Sequence, residues 1–128
     1  MSNFRTLKAW QHARILAIEC ARAAKGFPRE EQYALAAQLR KAAYSVVLNV
    51  VEGSGRRGPR EARHFFDIAS GSVDEVEAIL DLAKEMEYVP LSIMARLEAR
   101  RDETGKTLRG LLRSVSRAAD AIDRNAAA

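Results

Sequence analysis

The sequence predicts an all-α protein, an antiparallel up-and-down four-helix bundle, on three observations. Alanine, leucine, arginine and glutamate dominate the 128 residues, and all four are good helix formers. Apolar residues recur at three- and four-residue steps along four long segments, which is the spacing of one helix face. The breaks between segments are short and carry glycine or proline, so consecutive helices must turn back on one another. The length suits a single domain, residues 1–128, with a real hydrophobic core.

The first helix is expected over residues 6–25, where Leu7, Trp10, Ala13, Ala17, Ala21 and Ala24 share a face. That face is mostly alanine, so a neighbouring helix can approach closely. Gly26 and Pro28 then end it, glycine as a terminal cap and proline because it cannot continue a helix. The second helix is expected over 30–52. Glu30 and Glu31 complement its positive end, and Tyr33, Leu35, Leu39 and Ala43 lie along it. The third, 59–87, opens on Pro59, a favoured first-turn residue, with Glu61 behind it. Its apolar side holds Phe65, Phe66, Ile68, Ala69, Val73, Val76 and onward to Met86. Val89-Pro90 separates it from the fourth, 91–122, because a residue before proline avoids the helical region. That last helix is most regular at Leu108, Leu111, Leu112, Val115, Ala119 and Ile122. Gly105 and Gly110 weaken it locally, and the closing "NAAA" is expected to fray.

Several function classes are excluded or disfavoured by composition. No apolar run approaches the roughly 18–20 residues of a membrane span. The N-terminal "MSNFRTLKAW" lacks the apolar core of a secretory signal, so the expected compartment is the cytoplasm. Cys20 is the single cysteine, which forbids an internal disulfide and reads as a small buried apolar residue. The net charge of +4 permits nucleic-acid binding without requiring it. Its distribution is uneven: residues 59–89 carry eight acids against three bases, whereas residues 1–27 carry five bases against one acid. Acidic and basic helices of this kind can pair through their flanks.

Residues 53–58, Gly-Ser-Gly-Arg-Arg-Gly, spell the G-x-G-x-x-G of a dinucleotide site. The motif needs a strand before it and a second strand returning beside the first. Here the helical pattern runs unbroken from Glu30 into "SVVLNVV", and "YVPLSIMARLEARRDETG" supplies no returning strand. Gly53 and Gly55 are therefore expected to terminate the second helix. On that helix Gln38, Ser45, Asn49 and Glu52 fall on one narrow polar stripe, and valine, leucine and tyrosine fill nearly everything else. A surface helix of a monomer normally shows a single apolar stripe instead. The surplus apolar flank predicts a homo-oligomer. The stripe predicts a structural polar network among Gln38, Ser45, Asn49 and Glu52, with Asn49 and Glu52 buried and paired to nearby arginine or lysine. A catalytic site built on Asn49 and Glu52 is the competing reading of the same stripe.

Hydrolytic chemistry lacks parts, and no catalytic residue, cofactor or metal site is expected. His12 and His64 stand far apart in sequence. Bundle metal sites use Glu-x-x-His motifs on facing helices, and no such pair is present. Asp67, Asp74, Asp81 and Glu85 read as a solvated stripe. For nucleic acid the candidates are Arg56, Arg57, Arg60 and Arg63, with Arg5, Lys8, Arg14 and Arg22 near and along the first helix. Arginine suits phosphate because its forked donors stay charged. Few aromatics are free to stack bases, so backbone contact without sequence readout is expected.

Three stretches resemble a known family: "FRTLKAWQHA", "FPREEQYALAAQLRKAAYSVVLNVVEGSGR" and "FFDIASGSVDEVEAIL". They are similar to the four-helix bundle proteins encoded in intervening sequences of bacterial 23S ribosomal RNA genes. The accessory variability protein of diversity-generating retroelements looks related. Gln38, Leu39, Arg40, Lys41, Ala42, Ser45, Asn49, Glu52 and Gly53 carry one block of the likeness. Ala69, Gly71, Ser72 and Glu75 carry another. The resemblance implies a ring-shaped homopentamer and a non-enzymatic role. It also implies basic surfaces that bind RNA or DNA and, in the retroelement branch, a reverse transcriptase as partner. A protein–protein scaffold without nucleic-acid contact is the alternative.

Overall fold

In the computed structural model residues 3–127 are described, so Met1, Ser2 and Ala128 of the expected 1–128 domain lie outside them. Four helices follow in order: α1 (Lys8–Lys25), α2 (Leu35–Ser54), α3 (Pro59–Glu85) and α4 (Leu91–Ala127). Short 3-10 turns at Phe4–Thr6 and Arg29–Glu31 precede α1 and α2. No strand occurs among the described residues. Each helix packs on its neighbours in sequence and α4 closes back onto α1, so α1 and α3 face each other only across the diagonal. Side-chain pairs fix the antiparallel directions. Ser45 meets Ser72 across α2 and α3, Lys84 reaches Glu98 across α3 and α4, and Glu19 of α1 takes both Arg96 and Arg100 of α4.

Two apolar clusters fill the bundle. One, towards the α3–α4 turn, is built on Leu16, Cys20, Leu39, Leu80, Met94 and Leu97. The other, towards the α2–α3 turn, is built on Val46, Val50, Phe66, Val73 and Leu108. Thr104 is the buried polar residue on α4, and its hydroxyl donates to the Arg100 carbonyl at 2.8 Å, so it costs no unmade hydrogen bond. The first helix buries Ala9, Ala13, Leu16, Ala17, Cys20 and Ala24. This face is rotated from the expected one, and Trp10 and Ala21 sit at its margin beside α2.

Cys20 is fully enclosed. Burial, helped by the Glu19 carboxylate, pushes its thiol from the ordinary 9.0 up to about 12. A thiol whose folded pKa is raised contributes stability that is intact below the unfolded pKa and is lost as pH climbs towards the folded one. Stability against urea is therefore expected to fall between about pH 9 and pH 12 more steeply in the native chain than in Cys20→Ala. Near neutral pH the thiol should react with alkylating reagents only at the rate of unfolding.

The helix ends differ from the expected ones for local reasons. The second α-helix begins at Leu35, not at residue 30, because Gln32 is used elsewhere. Its side-chain amide donates to the carbonyls of Ala24 and Phe27 and so closes the end of α1. Ala34 takes φ −117° and ψ −104°, outside the helical region, and Tyr33 is 97% exposed, not on an apolar face. Glu31 does serve the helix start: its carboxylate accepts from the Leu35 amide and from the Tyr88 hydroxyl at 2.8 Å. At the other end of the chain α4 runs unbroken through Gly105 and Gly110 to Ala127, past the expected stop at 122.

The third helix ends two residues earlier than expected, at Glu85, in a capping motif with no glycine. The Tyr88 amide donates to the Ala83 carbonyl and the Glu87 amide to the Lys84 carbonyl, which is the Schellman pattern. Glu87 occupies the left-handed position with φ 59°. An L side chain there costs roughly 1 kcal/mol that glycine does not. Glu87→Gly is expected to raise stability by about 0.5–1 kcal/mol, read as a higher urea midpoint at unchanged m-value.

Candidate nucleic-acid interface

The eight basic candidates divide into two groups. Arg56, Arg57, Arg60 and Arg63 lie at the α2–α3 turn and the start of α3. Arg5 and Lys8 flank Leu7, which lines the same shallow groove at that end of the bundle as Arg56 and Arg57. Arg14 and Arg22 lie farther along α1, on the rim of a second groove between α1 and α2.

The end patch is made by packing, not by a phosphate-binding loop. Gly53 is inside α2, not past its end, and it is buried against Phe66 of α3. Gly55 takes the cap position, with its amide shared between the Val51 and Glu52 carbonyls. Gly58 is extended, and Pro59 starts α3 as the sequence predicts. This turn leaves Arg57 and Arg60 exposed. Arg56 is ion-paired to Glu52 at 2.9 Å, one turn back on the same helix, and lies 4.4 Å from the centre of the Phe65 ring. The ring holds the flat guanidinium in place without consuming all its donors. Arg60 pairs with Asp123 near the end of α4. Arg5 lies 4.6 Å from the Phe4 ring. Phe4 lies outside the four periodic segments, and Phe65, which periodicity places on the apolar side of α3, is half-buried. Three- and four-residue spacing reports the core face, and these rings sit at its edge.

The polar stripe of α2 is only partly a network. Ser45 and Ser72 hydroxyls are 2.8 Å apart, and the Asn49 amide donates to the Ser45 carbonyl and hydroxyl at 2.9 and 3.1 Å. These three sit half-buried between α2 and α3. Gln38 and Glu52 do not join them. Both are exposed, because the stripe rotates out of the α2–α3 contact at its ends, and Glu52 is engaged by Arg56. Asn49 is half-buried and Glu52 exposed, so the two are not buried together in the way the sequence predicts.

Chemistry-bearing residues elsewhere do not converge. Asp67, Asp74, Asp81 and Glu85 are all exposed on α3. One Glu-x-x-His spacing does exist, Glu61 to His64, but both side chains are exposed at the start of α3. Among the described residues no group of three or more His, Cys, Asp or Glu side chains is placed to hold a metal ion. Among them, too, no helix is long and apolar enough to cross a membrane.

The groove between α1 and α2 has a volume of about 700 Å³ and a different character. Its walls are Trp10, Ala17, Ile18, Ala21, Val47 and Leu48, and Tyr44, Arg14, Arg22 and Lys25 edge it. Leu48 is 62% exposed and Tyr44 is exposed beside it. The apolar flank of α2 thus stands open to solvent within one chain.

No curated protein matches the chain significantly. Among solved structures, a protein of unknown function from the S23 ribosomal protein family of Bacteroides thetaiotaomicron superposes with a TM-score of 0.75 at 16% identity. The match covers 81% of this chain and 97% of that one, and at that identity it shows a common fold. The model of the 23S rRNA-intervening sequence protein family matches residues 5–110, which takes in α1, α2, α3 and the first half of α4. The chain belongs to the 23S rRNA-intervening sequence protein family.

Proposed function

We propose that the protein is a non-enzymatic, oligomeric adaptor that holds RNA or DNA electrostatically through the basic end of the bundle, and that it works in the cytoplasm. The placing of Arg56, Arg57, Arg60 and Arg63 at the α2–α3 turn and the start of α3 carries the reading, with Leu7, between Arg5 and Lys8 in sequence, lining the same groove. Arg56 is held between Glu52 and Phe65, so a phosphate meets a fixed fork. Phe65 is half-buried under Arg56, which leaves backbone contact as the means of binding. A ring of copies, five by the family resemblance, would repeat the patch and multiply weak contacts into avidity.

Counterion release supplies the test. Retention of a structured RNA should fall steeply as salt rises from about 50 to 200 mM. Replacing Arg56, Arg57, Arg60 and Arg63 together by glutamine should weaken binding at least tenfold. It should also flatten the slope of log affinity against log salt by about one for each arginine–phosphate pair removed. An unchanged slope in that variant, with its helical content intact, sinks the proposal.

The apolar α1–α2 groove supports a second reading, a protein–protein scaffold, with an enzyme such as a reverse transcriptase among the candidate partners. Capture of a partner that survives nuclease treatment favours it. The same groove supports the oligomer, because an open apolar wall of this kind marks a protein contact.

A further inference from the structure

We propose that the α1–α2 groove receives the outward face of α3 from a second copy of this chain, so that copies associate head to tail. The inference rests on the oligomeric reading above and names the two faces that meet.

Charge decides against the simplest alternative. Arg14, Arg22 and Lys25 edge the groove. Two grooves facing each other would bring both sets of cations together around an apolar seam, where like charges repel and disfavour association. The outward face of α3 is the complement. Ile68 and Leu82 are exposed there, with Gly71, Glu75 and Ala78 between them on the same face. Asp67, Asp74 and Asp81 run beside that seam at seven-residue intervals, all exposed. At about 1.5 Å per residue the Asp74–Asp81 spacing is roughly 10 Å and the Arg14–Arg22 spacing roughly 12 Å, so the two rows can register.

Gly71 is the second observation. It lies in the middle of a 27-residue helix, where glycine is markedly less favourable than alanine. A Cβ built on it meets nothing within 4 Å, so no contact inside the protomer requires the glycine. Close approach by a helix from outside does require it. The geometry also lets one copy use both faces at once, since the groove is lined by residues of α1 and α2 alone and shares none with the outward face of α3. Unlike faces meeting in sequence make a heterologous interface, which closes into a ring or runs on as a filament.

The test is the mass of the full chain by native mass spectrometry and sedimentation at micromolar concentration. The native chain should be a multiple of 14.2 kDa. Gly71→Leu should shift it to the single protomer with helical content kept, because the new side chain meets only the partner. Arg14→Glu with Arg22→Glu should do the same, as should Asp74→Lys with Asp81→Lys. Mixing these two charge variants should restore species larger than the protomer, in even numbers of copies, because each offers the other a matched groove and seam while like variants do not pair. Retention of the native mass by Gly71→Leu, or by the α3 charge variant, overturns the pairing of faces and leaves the oligomer standing. Failure of the mixture to reassemble also overturns the pairing. A native chain that is itself a lone protomer overturns the oligomeric reading along with it.

Discussion

Truncating Phe66 to alanine is expected to cost about 3–5 kcal/mol of folding stability, the largest loss expected of any single substitution in this core. Phe66 is among the largest fully buried side chains and anchors the cluster with Val46, Val50, Val73 and Leu108. Its ring packs on the backbone of α2 at Gly53, where the helix surface has no side chain to collapse into the void. The neighbours that could move inwards, Val50 and Ala62, are short and tied to regular helix. The cavity therefore stays, and its cost adds to the lost transfer energy. Urea unfolding followed by circular dichroism checks it. A loss below about 1 kcal/mol would mean that α2 and α3 close up, and would refute the packing described.

The companion change, Gly53→Ala, is expected to cost about 1–3 kcal/mol although alanine is the better helix former. A Cβ at position 53 would stand 3.0 Å or less from three atoms of the Phe66 ring. The ring is buried and cannot swing clear, so the helices must separate or the ring must leave its rotamer. The double variant Gly53→Ala with Phe66→Ala is the decisive measurement. The new methyl enters the space the ring vacated, so the pair should be less destabilising than the two single costs summed. A coupling of about 1 kcal/mol or more in that direction is expected. Additive costs would mean that Gly53 and Phe66 act independently, and that the glycine is there for the helix end after all.

These two residues show why the chain's most suggestive motif misleads. In sequence, Gly53, Gly55 and Gly58 look like one phosphate loop. In the structure they have three tasks: Gly53 admits an aromatic ring, Gly55 caps α2, and Gly58 precedes Pro59 in extended conformation. The family-like blocks behave similarly. Ser45, Asn49 and Gly53 from one and Ser72 from the other meet at the α2–α3 contact, Phe66 falling between the two blocks in sequence. Arg40 donates to the Gln32 carbonyl at 3.0 Å and braces the turn into α2. Much of the likeness is thus carried by residues that set how two helices touch.

Periodicity by itself determined the all-helical class, the number of helices and most of the core. A helix buries whichever face repeats every three or four residues, and that is a local property of the chain. It placed Leu39, Val46, Val73, Val76, Leu80 and Leu108 inside, where they are. It also marked α2 as apolar nearly all round, and Leu48 and Tyr44 on that flank are exposed. Tertiary structure alone decided three things. It moved the start of α2 to Leu35, because Gln32 is drawn to the carbonyls that end α1. It split the polar stripe, keeping Ser45 and Asn49 and releasing Gln38 and Glu52, because only the middle of the stripe faces α3. It brought Leu7, which stands between Arg5 and Lys8 in sequence, onto the groove at the α2–α3 turn some fifty residues away. Each of these depends on which side chain lies across a gap from which other. That is set by helix packing in three dimensions, and spacing along one helix carries no record of it.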